Sequence, residues 1–556
     1  MNARRVGTGL ASGALLMAVT IAISRIIGFG RWLVFSSTVG STDIGTAYTN
    51  ANTVPNVLYE VAAGGALAGA VVPLLAGPLL ARKQEEANQI TSALLTWALT
   101  VLIPLAAIMA LFSGPISGLM QVPGDQQELV SRFLVVFAPQ VVFYGVGIVV
   151  TGVLQAHKRF FWPVFAPILS SVVVIGAYLL YARELGTAPA TDVGSSAAVQ
   201  WLGWGTTAGV AAMSLPLLIP GWRTGMRLHW TWKFPAGVGR RAINLATAGV
   251  GALLAQQLAV VATMLLANSF GGVGAHTTFL YAQTVYFLPY AVLAVPLATS
   301  AFPRLAESAQ SGDWEGYARG AATSTRAVLL VSGAGAVALA AAAPAVQALF
   351  DFLDAGQPAG LAPALVYLAP GLLGFALIAH ITRVLYAAEH GKTAMIATSI
   401  GWVAVIIASW AAILWRTNFG DNATIITALE GLGIGSSIGM TIAGVLLLIG
   451  LRRTVGAKAL AGLTRTIATL LIAAVAGVVG WQVTQWTLEE TPSIISSIGA
   501  GAIGAVAAVL VFAIVVAIGD RKVLRAVMKR DAGAAKVKKT QTSAQVVGEK
   551  NKSDRE

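Results

Sequence analysis

Apolar runs of roughly 20 residues recur along the whole chain, and each is long enough to cross about 30 Å of hydrocarbon as a helix. None shows the two-residue alternation of an outer-membrane barrel strand. The pattern predicts an all-α polytopic membrane protein of about 14 transmembrane helices. The first run, from about Thr8 to Phe29, follows Arg4 and Arg5 as a signal peptide would, yet it contains Arg25 and lacks a small-residue cleavage site. It reads as a retained first helix.

The connections between runs are short. The longest internal one, from about Pro220 to Gly239, divides the chain after about six spans, and the sequence repeats on either side of it. FAPQVVFYGVGIVVTGVLQAHKRF (Phe137 to Phe160) has a partner in LAPGLLGFALIAHITRVLYAAEHG (Leu368 to Gly391), where Ala138-Pro139 matches Ala369-Pro370 and Val153-Leu154 matches Val384-Leu385 at a constant offset. An even number of spans gives both halves one orientation, so the repeat is parallel, with a binding site expected near the midplane between two bundles that rock. The resulting division is an N-lobe (1–220), a cytoplasmic connection (221–237), a C-lobe (238–455), two added helices (456–519) and a basic disordered tail (520–556).

Composition sharpens this picture. Hydrophobic residues make up 56% and charged residues 11% of 556, less than half the charged fraction of a soluble domain. The net charge of +13 sits in alternate connections: Arg82 and Lys83; Lys158 and Arg159; Arg223, Arg227, Lys233, Arg240 and Arg241; Lys392; Arg452, Arg453 and Lys458. The intervening connections are neutral or acidic, with Asp125, Asp192, Asp351, Asp354 and Asp421. By the positive-inside rule the basic set is cytoplasmic, which places both termini on the cytoplasmic side of the cytoplasmic membrane and gives the charge no role in nucleic-acid binding. Cysteine is absent, which removes disulfides, thiol nucleophiles and iron–sulfur clusters together.

Polar positions inside the apolar runs carry the candidate chemistry. In TNANTVPNVLYEVAAGG, residues Thr49, Asn52, Asn56, Tyr59 or Glu60, and Gly64 follow helical spacing around Pro55 and form a stripe. Facing lipid, those groups would lack partners at a cost of several kcal/mol, so the stripe faces protein or water. Both readings stay open: polar packing between helices, or a water-filled substrate cavity. In ISRIIGFGRW, Ser24 or Arg25, Gly28 and Arg31 share a face, and a cation deep in a membrane needs an anion, a carbonyl or water. Arg383, two turns before Lys392, is a third candidate, with snorkelling to the interface as its alternative. Glu60 is read either as a partner for one of these arginines or as a substrate contact.

Catalytic signatures are missing. The His residues (His157, His229, His276, His380, His390) lack metal-ligand spacing, no span holds a carboxylate pair, and neither a phosphate-binding glycine loop nor a Gly-x-Ser-x-Gly elbow occurs. The reading is a transporter without cofactor or metal. Coupling to an ion or to the membrane potential is left open.

The motifs SRIIGFGR, NANTVPNVLYEVAAGGALAGAVVPLL, LPYAVLAVPLATSAFPRLAESAQSGD and VLYAAEHGKTA, in this order from about Val6 to Arg453, resemble the MurJ/MviN family of lipid II flippases in the multidrug/oligosaccharidyl-lipid/polysaccharide exporter superfamily. The resemblance implies a V-shaped pair of six-helix lobes plus two C-terminal helices. It implies export of a polyprenyl-pyrophosphate-linked saccharide, the peptidoglycan precursor, by a monomer working among membrane lipids and cell-wall synthesis proteins. Ser24, Arg25 and Arg31 match the family's pyrophosphate-contacting residues, and Asp43 matches the acid of its Thr-Asp pair; with Gly28, Pro55 and Gly64, Asp43 is read as gating or structural. The chain departs from the family pattern at Tyr59, Glu60, Gly64 and Thr284. Another polyprenyl-linked cargo, or a scaffold for cell-wall enzymes, are the alternative functions.

Overall fold

The computed structural model describes residues 3–61, 68–185, 197–247, 250–354, 356, 358–418 and 423–520. Gly64, Asp192, Asp421 and the tail beyond Asp520 lie outside the described residues. In chain order the helices are α1 (Ala3–Thr38), α2 (Asp43–Glu60), α3 (Ala68–Leu80), α4 (Gln84–Leu111), α5 (Ser113–Leu119), α6 (Gly124–Ala156), α7 (Phe161–Leu185), α8 (Ala197–Ser214), α9 (Leu218–Trp222), α10 (Val238–Thr247) and α11 (Val250–Leu266). There follow α12 (Ala275–Pro289), α13 (Val295–Gln310), α14 (Trp314–Leu353), α15 (Leu361–Leu368), α16 (Gly371–Ala387), α17 (Gly391–Asn418), α18 (Ile425–Val455), α19 (Leu463–Ala473), α20 (Val475–Thr487) and α21 (Ile494–Gly519). No strand occurs among the described residues. Among the described residues eleven helices are long and apolar enough to span a membrane, or 12 if the bent pair α15–α16 counts as one. The expected spans at α1 and at α2–α3 fall outside that count.

Local chemistry explains where helices start and bend. Thr42 caps α2 by accepting from Gly45 N–H, and Thr424 and Ser493 form capping boxes with Thr427 and Ser496. The repeated Ala-Pro behaves differently in its two copies. Pro139 sits inside continuous α6, whereas Pro370 separates α15 from α16 by 49°. There the Ser437 hydroxyl donates to the carbonyl of Tyr367 and accepts from Gly371 N–H at 2.9 Å, satisfying backbone groups that the break releases.

Small residues set the close packing of α17 on α18. On α18, Gly431, Gly435 and Gly439 recur every fourth residue and face Ile413, Ser409 and Val405 of α17; a Cβ on Gly435 would stand 2.2 Å from the Ser409 nitrogen.

The core decides the shape. One apolar cluster takes members from both halves, including Phe35, Tyr48, Phe133, Phe137 and Tyr178 with Tyr281, Phe350 and Leu429. Nearer the basic connections the halves have separate clusters: Val71, Leu74, Ile90, Val153 and Leu154 in one, and Leu305, Tyr317, Ile381, Leu385 and Leu451 in the other. The lobes therefore meet at the end away from the basic connections and part towards them. Residues Val238, Ala242 and Leu245 of α10 pack with the first of these clusters, on the N-lobe.

Candidate functional site

A polar seal crosses the lobes where they meet. Asn50 on α2 and Asn268 after α11 exchange amide hydrogen bonds at 3.0 and 3.4 Å, and Asn268 also donates to Met120 O at 2.7 Å. Thr49 and Thr277 hydroxyls lie 2.8 Å apart, Thr53 Oγ1 is 3.2 Å from His276 Nε2, and Gly274 N–H donates to Thr46 Oγ1 at 2.8 Å. The Asp354 carboxylate is buried and accepts from Ser36, Ser41, Tyr281 and the Gly356 amide, so it joins the α1–α2 turn to α12 and α14. All of these donors are neutral. Asp43 instead accepts from Gln126 within the N-lobe.

Below the seal lie the residues singled out by sequence. The polar face of α2 divides in two: Thr46, Thr49, Asn50 and Thr53 are buried against the other lobe, while Asn52 is half-buried and Asn56 and Glu60 are exposed. The helix runs on unbroken through Pro55, which is buried. Asn56 accepts from Tyr144 OH at 3.0 Å, and the Tyr59 ring packs on Tyr144 with centroids 4.3 Å apart. Arg31 is half-buried and within electrostatic range of Tyr144, as is Glu60. Asn56 and Tyr59 thus hold one tyrosine by direct contact.

A second group forms around Tyr290, at the π-helical turn before α13. Arg25 from the N-lobe and Arg383 from the C-lobe both act electrostatically on this tyrosine. Arg383 Nη1 donates to Ala379 O at 2.6 Å and lines a cavity of about 320 Å³ with Tyr290, Thr382, Tyr386 and Thr398. Ser24 is half-buried beside exposed Arg25, and a Cβ on Gly28, one turn on, would meet nothing within 4 Å, so this face of α1 is unpacked there. Among the described residues no ion pair includes Arg25, Arg31, Arg383 or Glu60. Thr284 donates to Leu280 on its own helix.

A third feature is apolar. Helices α14, α16, α18, α19 and α20 enclose a cleft of about 930 Å³ lined by Leu329, Val337, Leu373, Leu377, Leu470 and Trp481 among others.

Sequence reasoning missed the seal. Asn268 and His276 were isolated polar residues in apolar surroundings, which is a signal; Asp354 looked like any acid in a loop. Its partners are up to 318 residues away, and no local pattern reveals them.

Comparison with known proteins fits this architecture. A family model described as "Lipid II flippase MurJ" matches residues 35–498. The lipid II flippase MurJ of Burkholderia cenocepacia is 27% identical over 390 residues, covering 67% of this chain and 72% of that protein. A probable lipid II flippase MurJ of Synechocystis is 26% identical over 489 residues, covering 85% and 87%. Among solved structures, a lipid II flippase MurJ in an inward closed conformation superposes with a TM-score of 0.70 at 19% identity, covering 92% of this chain and 100% of that one. An inward-facing multidrug resistance MATE family transporter gives a TM-score of 0.65 at 14% identity, covering 79% and 98%.

Proposed function

This chain belongs to the MurJ family of lipid II flippases, and from that premise we propose how it carries lipid II, the lipid-linked peptidoglycan precursor, from the cytoplasmic to the outer leaflet by alternating access. It is a multi-pass membrane transporter. The observation that carries the reading is the set of arginines Arg25, Arg31 and Arg383, drawn from both lobes and free of carboxylate partners, beneath a seal at one end only.

A cation in a low-dielectric cavity needs compensating charge, and a pyrophosphate supplies it: guanidinium groups bind such oxyanions bidentately. Arg25 and Arg31 would take the pyrophosphate from the N-lobe and Arg383 from the C-lobe, drawing the lobes together around it. Asn52, Asn56, Tyr59 and Ser24 offer neutral hydrogen bonds suited to sugar hydroxyls. The apolar cleft suits a prenyl chain, because its aliphatic lining offers such a chain the same apolar contacts as the bilayer it leaves. With the basic connections in the cytoplasm, the open end faces the inside and the Asn50–Asn268 and Asp354 contacts close the outside. Rocking then requires those contacts to part, and an ion gradient or the membrane potential supplies the direction. A monomer suffices, since both lobes lie in one chain.

The test is complementation in cells depleted of the protein, with outer-leaflet lipid II measured by an added, membrane-impermeant lipid II hydrolase. Arg25→Ala should abolish export at normal abundance, and Arg25→Lys should keep part of it. Full export in Arg25→Ala, or accumulation of a different polyprenyl-linked saccharide on depletion, would overturn the reading.

A further inference from the structure

The connection from α9 to α10 is built as a strap. From Met226 to Pro235 it has neither helix nor turn, and it lies along α4, held by side chains of that helix one turn apart. Asn88 Oδ1 accepts from Arg227 N–H at 3.2 Å, Ser92 Oγ from His229 N–H at 3.2 Å, and Thr96 Oγ1 from Thr231 N–H at 3.2 Å. Trp97 Nε1 donates to Trp232 O at 3.1 Å, and Trp232 Nε1 donates to Thr100 Oγ1 at 3.2 Å. The fit is geometric: four helical residues rise about 6.0 Å and two extended residues about 6.6 Å, so helix positions 88, 92 and 96 meet strap positions 227, 229 and 231.

The strap is also two-faced. In MRLHWTWK the even positions are Met226, Leu228, Trp230 and Trp232, and the odd ones Arg227, His229, Thr231 and Lys233. Met226 is buried and Leu228 packs beside it in the N-lobe, but Trp230 and Trp232 are 59% and 51% exposed, near Trp97 at 47% and Trp222 at 56%. Arg223, Arg227, Lys233, Arg240 and Arg241 are exposed as well; the nearby acids are Glu85 and Glu86, of which Glu86 pairs with Lys83 at 3.4 Å. The apolar stretch of α4 begins at Ile90, so Thr96 sits about 9 Å along it, at the depth where Trp side chains collect in membrane interfaces.

From this arrangement we infer that the strap is an interfacial binding surface for anionic phospholipid headgroups of the cytoplasmic leaflet, with its tryptophans in the acyl boundary and Arg223, Arg227 and Lys233 on the phosphates. Exposed indole beside exposed cations fits a lipid with an apolar body and a negative head, and each basic residue near such a surface contributes about five-fold in affinity. The side-chain ladder holds an otherwise unpaired strand in place. Nothing in this depends on the flippase cycle.

The full chain would be equilibrated with mixed phosphatidylglycerol and phosphatidylcholine, and retained lipid read by native mass spectrometry. Arg223→Gln with Arg227→Gln and Lys233→Gln should lower phosphatidylglycerol retention by about ten-fold or more, given that per-residue contribution, and leave phosphatidylcholine unchanged. Arg452→Gln with Arg453→Gln, at the basic end of α18, should lower phosphatidylglycerol retention by less than the strap variant and leave phosphatidylcholine unchanged. Ser92→Ala with Thr96→Val keeps every charge; it should speed amide exchange across residues 225–233 and lower phosphatidylglycerol retention in parallel. Unchanged retention in the triple variant, an equal loss in the α18 variant, or a released strap that retains lipid normally would each overturn the inference, as would amide exchange that the ladder variant leaves unaltered.

Discussion

Ser41 and Asp354 lie 313 residues apart in sequence and are bound through both groups Ser41 can offer: its N–H is 2.8 Å from Asp354 Oδ1 and its hydroxyl 2.9 Å from the same oxygen. Tyr281 OH donates to Oδ2 at 2.7 Å. A buried carboxylate satisfied by neutral donors is costly to expose in part, because each lost donor leaves charge undersolvated. The contact therefore favours either full closure or full hydration. Asp354→Asn keeps the shape but turns one acceptor oxygen into a donor facing the donors of Ser41 or Tyr281. The cysteine-free chain allows a direct reading: with Asn52→Cys in place, Asp354→Asn should increase labelling by an impermeant maleimide added outside. Unaltered labelling would remove Asp354 from the gate.

The Asn50–Asn268 exchange is reciprocal, so each amide depends on the other. Truncating either residue leaves a buried amide with unmet bonds, at a cost of about 1–3 kcal/mol. Asn50→Ala and Asn268→Ala should each lower thermal stability of the sealed state, and the double variant should cost less than the sum, with a coupling of about 1 kcal/mol in a double-mutant cycle. Strict additivity would mean that the pair does not act across the lobes.

Two glycines separate packing from function. A Cβ on Gly435 would fall 2.2 Å from Ser409 N, a backbone atom, whereas one on Gly28 meets nothing within 4 Å. Gly435→Ala should force α17 and α18 apart and destabilise the protein by about 1–3 kcal/mol. Gly28→Ala should leave the melting temperature unchanged or slightly raised, and any loss of transport it causes would come from the side chain it adds to an unpacked face of α1.

Arg326 and Asp520 anchor the added C-terminal helices. Arg326 Nη2 contacts the two oxygens of Asp520 at 2.5 and 2.8 Å, and Thr466 OH donates to Oδ2 at 2.7 Å. Asp520, which the sequence places at the head of the tail, is fully buried. Arg326→Ala should lower stability by about 3–5 kcal/mol, because it takes away the guanidinium that faces both oxygens of this buried carboxylate. Adding Asp520→Asn should recover part of the loss, measured as melting temperature in detergent, whereas no recovery would argue that Arg326 acts through packing.

Much of this molecule was legible without coordinates, because in a bilayer the backbone has few choices. Lipid offers no hydrogen bonds, so an apolar run of about 20 residues must be a helix, and α4, α6, α17 and α21 stand where the hydropathy of the chain puts them. The repeat around Pro139 and Pro370 was visible for the same reason: each copy follows the same local rules. What those rules left open, the tertiary structure decided. Both prolines follow alanine, yet only Pro370 breaks its helix, since Ser437 of another helix is there to bond the released groups. The stripe on α2 read as a single polar face, but of its members only Thr49 joins the seal, through Thr277, while Asn56 and Glu60 stay exposed; the other seal residues, Asn50 and Thr53, lie off the stripe and find Asn268 and His276. Asp354 read as a loop acid until Ser41 and Tyr281 came from distant positions to bind it. Helix formation is a short-range matter that the bilayer enforces residue by residue; a polar group's role depends on which partner fills its remaining hydrogen bonds, and that partner is chosen by packing across hundreds of residues.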